Sequence, residues 1–143
     1  MNSYLHRIYH FKGNPREIGF AAGQTFAGRL ERTISRYIAS QQDSKDLEKL
    51  RAGALSWLRT LPQRFQDEFE GMAEGADIPL QRLAEWAYIE ECDAKQCSGA
   101  IFLFENQAWV ARNNDFYVPE LWGYVTIREV DGRIPTMMFS MEG

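Results

Sequence analysis

The chain has 143 residues, 45% of them hydrophobic, 13% aromatic and 25% charged, proportions of a globular domain that exclude disordered and collagen-like architectures. Sixteen Lys and Arg against 20 Asp and Glu, a net charge of −4, leave no cationic excess to neutralise a phosphate backbone, so nucleic acid is not an expected partner. Its two cysteines, Cys92 and Cys97, are too few for a secreted disulfide framework and wrongly spaced for zinc, and no window reaches the roughly 18 apolar residues of a membrane span; a cytoplasmic protein without a membrane partner is expected.

The segment Tyr4 to Phe11 alternates with a period of two and predicts a short strand ended by Gly13. Asn14-Pro15-Arg16-Glu17 then has the order of a capped helix start: a capping Asn, a Pro at the first helical position and a Glu that reaches back. The helix that follows carries Ile18, Ala22, Phe26, Leu30, Ile34 and Ile38 at four-residue steps. Beside them Gly19, Gly23 and Ala27 form a stripe of missing side chains, and this lets another backbone approach closely. Past the polar Gln41 to Ser44, a second helix is predicted from Leu47, Leu50, Ala54, Trp57, Leu58 and Leu61. Pro62 resets the chain for a third helix with Phe65, Phe69, Met72 and Ala73, ending at Gly75; Asp77 and Pro79 introduce a fourth with Leu80, Leu83, Ala84, Ala87 and Ile89.

After Asp93 the pattern changes to strands. Cys97 to Phe104 is a nearly continuous apolar run followed by the turn-like Glu105-Asn106-Gln107, from which Ala108 to Asn113 returns. Tyr124 to Val130 and Ile134 to Ser140 form a second pair around Asp131-Gly132, the strongest hairpin signal in the chain. The fold class is therefore α+β, an N-terminal helical part followed by antiparallel strands in one body.

If Glu105-Asn106 is a two-residue loop, Phe104 faces Gln107 and Cys97 falls opposite Asn114. That register gathers a thiol, the Arg112 guanidinium, the carboxamides of Asn113 and Asn114 and the Asp115 carboxylate at one strand end. Its usable chemistry is a nucleophile beside a cation that stabilises the thiolate. The same residues also suit a small buried thiol and a structural ion pair. His6 and His10, the only histidines, lie far off in sequence, so a base is missing. Other candidates take structural readings. Trp57, Trp86, Phe65 and Phe69 read as helix core, and Trp109 and Trp122 as strand packing. Glu85, Glu90, Glu91 and Asp93 read as a solvated helix face, Cys92 as a helix-end thiol, and no metal is assigned.

Taken in order, Gly13-Asn14-Pro15-Arg16-Glu17-Ile18-Gly19 with Gly23, then Phe69 to Ile78, then Cys97-Ser98 and Arg112-Asn113-Asn114-Asp115 resemble the acyl-coenzyme A:6-aminopenicillanic acid acyltransferase (isopenicillin N acyltransferase)-like family. These are cysteine N-terminal-nucleophile hydrolases related to penicillin V acylases and bile salt hydrolases. The resemblance implies an αββα sandwich, with 1–96 as a mainly helical segment and 97–143 as the start of the catalytic β segment. It implies a precursor cut between Gln96 and Cys97, after which the new α-amino group of Cys97 serves in place of histidine; the reference pKa of such a group, about 7.7 to 8.0, suits a general base. By the same resemblance Arg112 stabilises the thiolate and orients substrate, and Asp115 holds the α-amino group. Ser98, Asn113 and Asn114 are supporting groups without an assigned role.

The expected activity is hydrolysis or acyl transfer on a linear acyl amide or acyl thioester, through an acyl-enzyme on Cys97 and without a cofactor. The family sandwich needs more strands than 143 residues supply. The chain is thus expected to be an incomplete domain, inactive by itself, that joins a missing C-terminal portion or another copy. The rival expectation is a non-catalytic helical-plus-hairpin module that binds a protein through the apolar run Ile101 to Phe104.

Overall fold

The computed structural model describes residues 7–41, 46–92, 98–113 and 122–141. Strand β1 (Arg7–Gly13) precedes four helices, α1 (Pro15–Ser40), α2 (Leu47–Thr60), α3 (Gln63–Ala76) and α4 (Leu80–Cys92). Strands β2 (Ser98–Phe104), β3 (Gln107–Asn113), β4 (Trp122–Val130) and β5 (Thr136–Met141) follow.

Helix α1 starts as its sequence dictates. The Asn14 side chain accepts from the Glu17 amide at 3.0 Å, the Glu17 carboxylate accepts from the Asn14 amide at 2.9 Å, and Pro15 occupies the first turn. Two amides with no intrahelical partner are thereby satisfied. The apolar ridge is buried throughout, with Ile18, Leu30 and Ile34 each no more than 1% exposed. It meets Ala73 and Ala76 of α3 and Leu83, Trp86 and Ile89 of α4 in one core cluster.

Helices α1 and α3 pack main chain against main chain. A Cβ on Gly19 would lie 2.0 Å from the Glu68 carbonyl oxygen and one on Gly23 2.3 Å from that of Met72, while on α3 Gly71 and Gly75 stand in the same relation to Arg16 and Phe20. Both partner positions advance by four together, so the two helices run in the same direction. Gly75 is therefore an inter-helix contact, and the expectation that it ends α3 is corrected. The helix continues to Ala76 and turns at Asp77, which takes a left-handed conformation with φ 55°, while the Ile78 amide donates back to the Ala73 carbonyl at 3.0 Å. Helix α2 is joined to α3 by the buried Gln66, whose amide donates to the Leu61 carbonyl at 2.7 Å. Leu58 and Ala54 of α2 close on Ala84 of α4 in a second cluster.

Strand β4 is the centre of a three-stranded sheet, parallel to β1 from Arg7↔Tyr124 to Gly13↔Val130 and antiparallel to β5 from Trp122↔Met141 to Arg128↔Thr136. The β4–β5 connection runs over 131–135 and carries Gly132 at φ 69°, a left-handed conformation that glycine takes without steric cost; β5 begins at Thr136, later than the expected Ile134. Tyr9 and Phe11 turn to the inner face, where both meet Phe26 of α1 edge to face, at 4.9 and 6.1 Å between ring centres.

The αββα sandwich is not the architecture of the described residues. Instead there are four helices and two small sheets; the two expected hairpins, β2–β3 and β4–β5, are antiparallel, and β1, for which the sequence names no partner, pairs parallel with β4. Sheets form a sandwich by burying inner faces against each other about 10 Å apart. The β2–β3 pair does not: Ile101 and Leu103 are 78% and 81% exposed on one face, and Phe102 and Phe104 are 50% and 58% exposed on the other.

Candidate functional site

Glu105 and Asn106 both take positive φ, 49° and 60°, the conformation of a two-residue type I′ loop that matches strand twist. That loop fixes the β2–β3 register. Phe104 pairs with Gln107, Ile101 with Val110, Gly99 with Arg112 and Ser98 with Asn113. Of the residues predicted to carry chemistry, the structure thus brings the main chains of Ser98, Arg112 and Asn113 together at one end of the hairpin. Gln96, Cys97, Asn114 and Asp115 lie outside the described residues, as do His6, Asp93 and the expected partition at 96/97.

His10, on β1, is engaged elsewhere: its Nε2 is 2.8 Å from Glu129 Oε1, and Lys12 approaches the other carboxylate oxygen at 3.5 Å. The hydrogen bond with His10 holds the Glu129 carboxyl below its usual range. Cys92 ends α4 and is exposed. Among the described residues no group of three or more His, Cys, Asp or Glu is arranged to hold a metal ion, and no helix is long and apolar enough to cross a membrane.

Several structural readings change. Glu85 belongs to no solvated face. It is 6% exposed, with its carboxylate 3.3 Å from Arg51 and 3.7 Å from Arg82 and a hydrogen bond from Gln81 at 3.0 Å. A buried carboxylate needs such partners. Trp86 is core, and Trp57 stacks on Tyr88 at 5.2 Å with Phe69 at its edge. Phe65, however, is exposed under the Arg64 guanidinium, and Trp109 is 49% exposed.

A feature absent from the sequence reading lies between α1, α3 and the inner face of the three-stranded sheet. It is a cavity of about 120 Å³ walled by Phe11, Ile18, Ala22, Phe26, Met72 and Met138. Glu68, Thr126 and Arg128 supply its polar groups. Arg128 Nη2 donates to Glu68 Oε1, joining β4 to α3, and burial pushes the guanidinium below its ordinary range. The helix and the strand are far apart in sequence, so spacing carried no signal of this pair. Strand alternation alone would turn Val125 and Ile127 inward. The parallel register with Tyr9 and Phe11 instead puts Thr126 and Arg128 on the inner face.

No family model and no curated protein matches the chain.

Proposed function

We propose that Cys97 is an N-terminal nucleophile for acyl transfer from a linear acyl amide or acyl thioester to water or an amine. The observation that supports this reading is the β2–β3 register, in which Gly99 pairs with Arg112 and Ser98 with Asn113. Role assignments come from the resemblance to cysteine N-terminal-nucleophile hydrolases.

In the first step the Cys97 sulfur attacks the Gln96 carbonyl carbon. A C–S bond forms, the Gln96–Cys97 C–N bond breaks, and the thiol proton passes to the freed α-amine. Water then hydrolyses the thioester, releasing residues 1–96 as a carboxylate and restoring the thiol. In each turnover the α-amino group takes the thiol proton and gives it to the leaving group, an amine from an amide or a thiol from a thioester, as the acyl group moves to sulfur. Water or an acceptor amine then attacks the acyl carbon, the C–S bond breaks, and the proton it sheds passes through the α-amino group to the Cys97 sulfur. The Arg112 cation favours the thiolate, and Asp115 holds the α-amino group. A reducing, cytoplasmic setting keeps that thiol available.

Incubation with a panel of acyl amides and acyl thioesters, quenched in acid and read by peptide mass, should trap the acyl group on Cys97 and on no other residue. Measurable turnover that persists undiminished in Cys97→Ala, or an acyl group trapped on another residue, would sink the proposal.

A second reading is favoured by the exposure of apolar side chains on both faces of β2–β3: the protein is a non-catalytic module whose hairpin binds a protein partner. Solution size and thiol reactivity separate the two, because a stable, inert monomer with an unreactive Cys97 fits the second and not the first.

A further inference from the structure

We propose that the cavity between α1, α3 and the three-stranded sheet binds a short neutral acyl amide, with its alkyl end against Ile18, Ala22, Phe26 and Met72 and its carbonyl oxygen accepting from Arg128. The walls and volume set the size. An apolar cavity of about 150 Å³ takes a benzene ring, so 120 Å³ holds roughly five non-hydrogen atoms. Ligand sites join apolar walls to a few placed polar groups, and here Arg128, Glu68 and Thr126 converge on such walls.

Charge sets the chemical class. A guanidinium has five N–H donors, and among the described residues the hydrogen bond of Arg128 to Glu68 uses one of them. Glu68 already balances the cation, with side chains 16% and 22% exposed. A carboxylate ligand would bring a second anion beside Glu68, and an ammonium a second cation beside Arg128. A neutral carbonyl accepts from the guanidinium without adding a charge and leaves the pair balanced. This site draws only on β1, β4, β5, α1 and α3, and it stands or falls apart from the Cys97 reading.

Propionamide and propionate, equal in size and different in charge, are the probes. Protein labelled with ¹³C at its methionine methyls and carrying Cys97→Ala, which removes any turnover, is titrated with each. Propionamide should shift the Met72 and Met138 methyl signals saturably while Met137, 74% exposed on the opposite face of β5, stays still; propionate should bind about tenfold more weakly or worse. Ala22→Leu, which grows into the cavity, should abolish the propionamide response. Unmoved Met72 and Met138 signals, propionate binding as tightly as propionamide, or a response unchanged in Ala22→Leu would each overturn the proposal. Should Ala22→Leu fail to fold, the comparison of the two probes on the unaltered cavity decides alone.

Discussion

Gly19 of α1 sits directly on the main chain of Glu68 in α3: a Cβ at Gly19 would stand 2.0 Å from the Glu68 carbonyl oxygen. Alanine is the better helix former by about 1 kcal/mol, yet here it would push two rigid backbones apart. Gly19→Ala should therefore destabilise by about 2 to 3 kcal/mol in urea unfolding. Gly28, in the same helix, has open space around its Cβ position, and Gly28→Ala should stabilise by about 0.5 to 1 kcal/mol. Equal effects at the two positions would refute the close helix contact.

The Asn14 cap makes a second thermodynamic prediction. Asn14→Ala removes the acceptor for the Glu17 amide and should cost about 1 kcal/mol, whereas Asn14→Asp or Asn14→Ser should cost far less. Thermal unfolding of the three variants under one buffer condition measures it.

Glu70 predicts the acid limb of the stability curve. It pairs with Arg59 at 2.8 Å and with Arg16 at 3.0 Å, and the hydrogen bond from Arg59, then that from Arg16, holds its carboxyl below the usual range. A carboxyl depressed in the folded state adds stability above its unfolded value of about 4.3 and loses it as pH falls through the lower folded value. Urea midpoints should thus drop below about pH 4.3, and Arg59→Met should make that drop shallower. An identical acid limb in the variant would show that the pair contributes nothing.

Arg112 carries a kinetic prediction. In a Cys92→Ser background, so that Cys97 alone reports, Arg112→Ala should slow alkylation of Cys97 near neutral pH by about tenfold, because only the thiolate reacts. Unchanged alkylation in a folded variant would remove Arg112 from the mechanism.

What the sequence reveals depends on how local the cause is. The α1 cap and the β2–β3 loop were legible because Asn14 with Glu17, and Glu105 with Asn106, act over two to four residues. The glycine stripe of α1 was legible as a demand for close approach, but its counterpart in α3 was not. Gly75 follows an apolar run and has the look of a stop, and only the packed helix pair shows it to be a contact. Glu85 was misplaced because an acid in a helix reads as solvated until Arg51 and Arg82 arrive from elsewhere in the fold. The parallel β1–β4 pair, and with it the Arg128–Glu68 bridge and the cavity, depends on strands from opposite ends of the sequence. The expected sandwich rested on family resemblance, and the exposed faces of β2–β3 do not form one.

The most direct test of the account is the covalent state of the protein at Cys97. Intact mass and N-terminal sequencing of the purified full chain should give a fragment beginning at Cys97 together with one ending at Gln96, and Cys97→Ala should yield a single uncut chain. A wild-type chain that remains one uncut species under the same conditions would contradict the assignment of Cys97 as a processed N-terminal nucleophile.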